Sequence, residues 1–223
     1  MIHGDLLGER ARLTPDKTAL VTVPDGLRLS YRELDERAAR CAAAWCMGLG
    51  LEKGERIAIL ANNRVEYLEA FFAAGKSGVI LVTLGTRLTA AELGFIIEDS
   101  GARAVLYEGG FAGVVDELRS VVEVDAWVAL DDPARPDDPR YADLCHAADL
   151  SGWARERLEP GDIYCLLYTS GTTGRPKGVK IPHRMVSWNG YNTACGWQLE
   201  ESDVSPIFTP LYHAGGLGAF LTP

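Results

Sequence analysis

The chain has 223 residues and a formal net charge of -9, which is enough for one large domain or one and a half average domains. Its 47% hydrophobic and 24% charged residues are typical of folded globular proteins and exclude disordered and collagen-like classes. The acidic balance disfavours nucleic acid and anionic membrane surfaces as partners, and without a leader or a ~18-residue apolar run we expect a cytoplasmic protein.

Helical and strand-like patterns alternate over the first two thirds of the chain. Two capping boxes, Ser30 with Glu33 and Thr89 with Glu92, predict where two helices begin. Short apolar runs predict strands at 56–60, 79–82, 104–107 and 127–130. Between these runs, apolar residues at helical spacing predict helices, one of them over about 111–122. This alternation predicts an α/β fold with a mostly parallel sheet flanked by helices on both faces.

Residues 131–140 combine three prolines with four aspartates, so we expect an exposed loop there and not an acidic metal site. The loop is the best internal boundary, and it suggests an N-terminal α/β subdomain over 1–150 and the start of a second over 151–223. The five cysteines are scattered and form no C-x-x-C pair, so we interpret them as buried reduced thiols. The four histidines do not fall at metal-ligand spacing.

The segment 168–178, with the sequence YTSGTTGRPKG, lies between two β-type runs at 163–167 and 179–181. Its glycines let the backbone approach an anion, its hydroxyls add donors, and Lys177 supplies a positive charge. These are the components of a polyphosphate-binding loop. A Walker A loop would need Gly-Lys-Ser/Thr before a helix, whereas here Lys177 precedes Gly178 and a strand-like run follows. The simpler alternative is a flexible glycine-threonine hairpin loop.

The sequence YTSGTTGRPKGV resembles the signature loop of the adenylate-forming superfamily, which includes acyl-CoA synthetases, luciferases and peptide synthetase adenylation domains. Residues 29–34 (LSYREL) and 210–216 (PLYHAGG) resemble two further motifs of that superfamily, in the same order. The resemblance implies the N-terminal portion of the large domain of these enzymes. The chain departs from the usual pattern at Thr83, Gly85 and Pro182, which puts local turn geometry and one helix cap in question.

By resemblance, Lys177 and His213 are the catalytic candidates, and Thr169 would contribute to the environment of Mg²⁺. His213 would sit near the acyl carboxylate or the adenylate, although a lone loop histidine is more commonly a structural residue. The resemblance also implies a set of residues that would bind the ATP phosphates: Thr169, Ser170, Gly171, Thr172, Thr173, Gly174 and Lys177.

The activity implied is that of an ATP-dependent carboxylic acid–CoA ligase, which forms an acyl-AMP and then an acyl-CoA thioester, here from a fatty or other hydrophobic acid. The implied partners are therefore the acid, ATP with Mg²⁺, and CoA. Two alternatives stay open: a non-catalytic nucleotide-binding or interaction module, and an adenylation domain that loads a carrier-protein thiol. Whether the reading frame continues past Pro223 into the missing motifs would separate the first alternative from the ligase.

Motifs that relatives use for adenine and ribose, and a C-terminal lid domain with its lysine, do not occur in these 223 residues. We therefore expect a truncated chain that is inactive by itself. We also expect apolar surface normally covered by the missing part to favour dimerisation or aggregation.

Overall fold

A computed structural model describes residues 4–23, 25–132, 135–169 and 175–220, of which 218–220 are described by their backbone only. Within these ranges the helices are α1 (Leu6–Leu13), α2 (Tyr31–Ala43), α3 (Val65–Ser77), α4 (Ala90–Ser100), α5 (Ala112–Leu118), α6 (Tyr141–Ala147), α7 (His183–Trp197) and α8 (Ala214–Phe220). The strands are β1 (Thr18–Val21), β2 (Arg28–Ser30), β3 (Arg56–Leu60), β4 (Ile80–Thr83), β5 (Ala104–Tyr107), β6 (Ala126–Ala129), β7 (Ile163–Thr169) and β8 (Lys177–Pro182). A single π-helical turn, Ala44–Gly48, follows α2, and a 3₁₀ turn, Gly109–Phe111, precedes α5.

The main sheet has six strands in the order β6-β5-β3-β4-β7-β8. The first five are parallel to one another, and β8 runs antiparallel to β7, so the predicted mostly parallel α/β sheet is confirmed. Because β7 pairs with β4, strands from both sides of the expected boundary near residue 150 share this sheet. The division into two subdomains stays a prediction. A separate antiparallel pair, β1 with β2, was not predicted by the sequence patterns.

Both faces of the sheet are buried, because successive side chains of each strand point to opposite sides. On β3, Ile57 and Ile59 belong to a core formed with α2 and α3, while Ala58 and Leu60 belong to a second core formed with α4 and α5. All four of these residues are 0% exposed. The helices therefore cover both faces, as expected for parallel strands.

Both predicted capping boxes are present. The Ser30 hydroxyl accepts from the Glu33 amide at 3.3 Å while the Glu33 carboxylate accepts from the Ser30 amide at 2.7 Å. Thr89 and Glu92 show the same reciprocal pair at 3.3 and 2.8 Å. By contrast, α7 begins after Pro182 with no side-chain cap.

Three expectations need correction. The helix predicted over 111–122 ends earlier, at Leu118. The loop 131–140 is largely exposed in its described residues, but Asp138 is buried because its carboxylate accepts hydrogen bonds from Tyr107 and Arg119. Finally, the cysteines are all free but not all buried: Cys41 and Cys165 are buried, whereas Cys46 and Cys145 are partly exposed and Cys195 is exposed.

Candidate functional site

The carboxyl ends of the five parallel strands meet at one edge of the sheet. At this edge β3 ends at Leu60, β4 at Thr83 and β7 at Thr169. Open α/β sheets bind their ligands outside the carboxyl ends of the strands, because the loops there converge and leave a crevice. The sequence-predicted phosphate loop follows β7 in the chain, and Thr169, the described residue before it, lies at this edge.

The two ends of the predicted phosphate loop are brought together by the β7–β8 ladder. Thr169, the last residue of β7, pairs with Lys177, the first residue of β8, and both are exposed. Thr169 and Lys177 therefore place a hydroxyl and an ammonium group on adjacent strands, at the residue pair where the hairpin loop begins and ends. The predicted phosphate-contacting residues Ser170, Gly171, Thr172, Thr173 and Gly174 lie outside the described residues.

The hairpin residue next to Thr169 is fixed to α4 by a hydrogen bond. The Tyr168 hydroxyl donates to the Asp99 carboxylate at 2.6 Å, and burial, followed by this carboxylate, raises the pKa of Tyr168. Gly178 pairs with Tyr168 across the ladder, and a Cβ on Gly178 would lie 2.9 Å from the tyrosine ring. Tyr168 and Gly178 therefore have packing roles, which explains their place in the motif without any contact to phosphate.

His213 lies immediately before α8, on the segment 208–213 that crosses the same edge of the sheet. Its amide donates to the Pro210 carbonyl at 3.1 Å, and its exposed ring lies against Tyr212 with 4.4 Å between ring centroids. Among the described residues, no hydrogen bond, ion pair or ring contact joins His213 to Thr169 or Lys177. The structure thus pairs Thr169 with Lys177 and places His213 on a separate segment.

Two residues that the sequence motifs did not identify bind the backbone of this segment. Asn63, between β3 and α3, donates from Nδ2 to the Thr209 carbonyl and accepts at Oδ1 from the Leu211 amide, both at 2.8 Å. Thr83 Oγ1 donates to the Tyr212 carbonyl at 3.2 Å. In the sequence, Thr83 stands out only as a departure from the family pattern, and no sequence signal points to Asn63.

The segment, the β3–α3 loop and the turn after β4 enclose a small open cleft of about 220 Å³. Its walls combine amides, a hydroxyl, a guanidinium group and aromatic rings, contributed by Asn62, Asn63, Thr86, Arg87, Phe208, Pro210 and Tyr212. The cleft is smaller than the ~300 to 1,000 Å³ usual for ligand pockets.

A second polar cluster lies across the carboxyl ends of β3, β5 and β6. The Arg64 guanidinium contacts Glu66 at 2.7 Å and Asp131 at 2.6 Å, and Asp131 also accepts from the Gly109 amide at 3.1 Å. Arg64 foremost, and then the Gly109 amide, hold the pKa of Asp131 below its ordinary value, although partial burial opposes them. Since each charge is paired, the cluster is a structural network that ties three strand ends together.

The six-stranded, mostly parallel sheet flanked by helices is shared with the N-terminal domains of adenylate-forming enzymes. A family model described as "AMP-binding enzyme" matches residues 7–223, and the chain belongs to this family. It is 33% identical over 218 residues to long-chain-fatty-acid–CoA ligase FadD13 of Mycobacterium tuberculosis, covering 96% of this chain and 41% of the ligase. It is 34% identical over 221 residues to feruloyl-CoA synthase of an Amycolatopsis species, covering 96% and 40%.

Among solved structures, the inhibitor-bound N-terminal domain of FACL13 from Mycobacterium tuberculosis superposes with a TM-score of 0.81 at 30% identity, covering 100% of this chain and 55% of that one. In sequence, the chain spans about 40% of the length of the curated relatives it matches. No helix in the described ranges is both long and apolar enough to cross a membrane.

Proposed function

We propose that this chain is the phosphate-binding part of an ATP-dependent carboxylic acid–CoA ligase. The observation that carries the proposal is the pairing of Thr169 with Lys177, which sets the two ends of the hydroxyl- and glycine-rich loop side by side at the carboxyl edge of the sheet. Both residues are exposed there, so their polar groups are available to a ligand.

In this proposal Lys177 and the loop residues Ser170 to Gly174 contact the β- and γ-phosphates of ATP. The Thr169 hydroxyl is the protein group that would hold Mg²⁺. One hydroxyl fits this ion, because Mg²⁺ is usually bound by one or two protein ligands together with substrate phosphates and water. When bound, the ion neutralises phosphate charge.

The reaction proceeds in two steps. A carboxylate oxygen of the acid attacks the α-phosphorus of ATP, the bond to the bridging oxygen breaks, and pyrophosphate leaves. A thiol of CoA then attacks the acyl carbon, and AMP leaves with the electron pair. Lys177 and the loop donors stabilise the charge that builds on the departing pyrophosphate, while His213 lies near the carboxylate and the adenylate.

The acid is proposed to be a fatty acid or another hydrophobic carboxylic acid. Two relatives support this range, because one is a long-chain-fatty-acid–CoA ligase and the other is a feruloyl-CoA synthase.

Binding of ATP with Mg²⁺ to the purified chain, measured by calorimetry at constant ionic strength, tests the role of the loop. We expect Lys177→Ala to weaken binding about 10- to 100-fold, the loss typical of a charge-assisted hydrogen bond. Lys180→Ala is the matched control, because Lys180 is also exposed on β8 but lies three residues further on and so points to the other face of the sheet. Equal losses in the two variants would refute a specific role for Lys177.

We propose to test the chemical step in a longer relative that bears these residues, because the chain spans about 40% of the length of the curated relatives it matches. There, Lys177→Ala and Thr172→Ala should slow single-turnover release of pyrophosphate more than they weaken binding of the acid. The 223-residue chain by itself is proposed to release no measurable pyrophosphate with short, medium or long acids. Transfer to a carrier-protein thiol instead of CoA would revise the second step only.

We also propose that the isolated chain self-associates through α7. This helix exposes large apolar side chains, with Trp188, Tyr191 and Trp197 each about half exposed. Light scattering across a concentration series is the measurement, and a strictly monomeric chain at high concentration would contradict the proposal.

A further inference from the structure

The Asn63 side chain binds a segment that is remote from it in sequence. Its amide nitrogen donates to Thr209 and its amide oxygen accepts from Leu211, across sequence separations of 146 and 148 residues. A residue on a parallel strand bonds the residues before and after its partner in this same way. The Asn63 amide therefore replaces the peptide group of one more strand residue, with Pro210 as its partner.

Thr83 provides a second point of attachment, on the neighbouring strand β4. Its side chain is 3% exposed, and its hydroxyl donates to the Tyr212 carbonyl at 3.2 Å. A buried hydroxyl that lost this acceptor would cost the folded state its full desolvation free energy, and this cost favours the hydrogen bond. The carbonyl or amide groups of three residues in the segment are thus bound by side chains from two adjacent strand ends.

Packing fixes the depth of the segment but not the orientation of its peptide planes. Leu211 is 2% exposed in the core, and a Cβ at Gly216 would lie 2.4 Å from the Pro210 carbonyl oxygen, so α8 lies directly against the segment. Apolar packing has no direction, whereas hydrogen bonds to a carbonyl and an amide specify the rotation of each peptide group. That rotation passes to His213 through the turn in which its amide donates to Pro210.

We infer that Asn63 is a positioning residue that, together with Thr83, orients the segment carrying His213. Asn63 acts through the backbone of Thr209 and Leu211, which bind the two ends of its amide. The functional meaning of this inference rests on the proposed function, because that proposal places His213 near the acid. The contact network itself does not depend on it.

The test is nuclear magnetic resonance on the full 223-residue chain, with two readouts. The first is amide exchange of Leu211, whose N–H loses its acceptor in Asn63→Ala and should exchange about fivefold faster. The second is the ring signal of His213, assigned through a His213→Gln variant, which should shift or broaden. Asn62→Ala is the matched control, since the neighbouring Asn62 amide donates to Glu108 and not to the segment.

Thr83 supplies a rescue arm. Thr83→Val keeps the shape but removes the hydroxyl and should move the His213 signal, whereas Thr83→Ser restores a donor and should return the signal toward that of the wild type. Ser100→Ala removes another buried hydroxyl bonded to a backbone carbonyl, 3.1 Å from Ile97, and controls for a general loss of stability. These variants decide the matter if Asn63→Ala fails to fold.

An unchanged Leu211 amide and an unchanged His213 signal in both Asn63→Ala and Thr83→Val would overturn the inference. Equal effects in the control variants would do the same, because they would show a non-specific loss of structure. Failure of the proposed function is separate: a wild-type chain that binds no ATP with Mg²⁺ would remove that proposal and leave the measured orientation of His213 intact.

Discussion

We expect the largest loss of stability from a single substitution to occur at a buried cluster of ion pairs. Lys76, on α3, is 0% exposed, and its ammonium group contacts Asp5 at 2.7 Å and also contacts Asp35 on α2. Arg155 contacts the same two carboxylates at 2.6 and 3.0 Å from the solvent side. Asp5 additionally caps α1 by accepting from the Gly8 amide at 2.9 Å. The cluster thus joins three helices to the segment before β7.

The perturbation is Lys76→Met, which keeps the length of the side chain and removes its charge. Removal of one partner from a buried ion pair typically costs about 3 to 5 kcal/mol, because the remaining charge stays buried. Arg155 still contacts both carboxylates and balances one of their two negative charges, so we expect a loss near the lower limit, about 3 kcal/mol. Arg155 is itself 46% exposed, and Arg155→Met should cost no more than about 1 kcal/mol.

Equilibrium unfolding in urea gives both values, with the free energies compared at a common slope. A triple variant with Lys76→Met, Asp5→Asn and Asp35→Asn is the control, since it removes both carboxylate charges and leaves only the half-exposed Arg155, so it should recover part of the loss. Equal losses for Lys76→Met and Arg155→Met would refute the reasoning that burial of Lys76 sets the magnitude. A triple variant less stable than Lys76→Met would refute the charge argument.

Three further predictions concern other parts of the molecule. Because Arg64 holds the pKa of Asp131 below its ordinary value of 3.8, Asp131→Asn should destabilise the chain at neutral pH, and urea midpoints should show this difference shrinking as the pH falls below 3.8. Exposed Cys195 should react with a thiol reagent in the native state, whereas Cys165, whose pKa burial raises to about 12, should react only on unfolding. Gly178→Ala should cost about 1 to 3 kcal/mol in urea unfolding, because its Cβ would lie 2.9 Å from a tyrosine ring.

Features set by residues close together in the sequence were predicted well. The capping boxes at Ser30 and Thr89 depend on groups three residues apart, and both formed as expected. The strands of the parallel sheet appeared as apolar runs, because each strand is buried on both faces and needs no alternation. The phosphate loop stays a prediction, made because its residue types and order are unusual for an ordinary hairpin.

Features set by contacts between distant residues were not predicted. Nothing near Asn63 indicates that its amide will bind residues 146 and 148 positions away, since an exposed asparagine in a loop is ordinary. The burial of Asp138 was missed for the same reason: its partners Tyr107 and Arg119 lie 31 and 19 positions away, and the local sequence of prolines and aspartates indicates only solvent exposure. The positions of Thr169 and Lys177 relative to each other followed from the strand register, which the sequence runs alone left open.

The composition of the proposed phosphate loop is consistent with the element that comes after it. In a Walker A loop the phosphate lies at the N-terminus of a helix, whose unpaired amides and dipole attract the anion. Here β8 follows, and α7 begins only at His183, after the whole of that strand. A strand offers little net dipole, so in the proposed loop the attraction to phosphate would come from side chains, from backbone amides freed by the glycines and from any bound cation. This explains why hydroxyls are so frequent in the loop and why the one lysine stands at its end, where the pairing with Thr169 fixes its backbone.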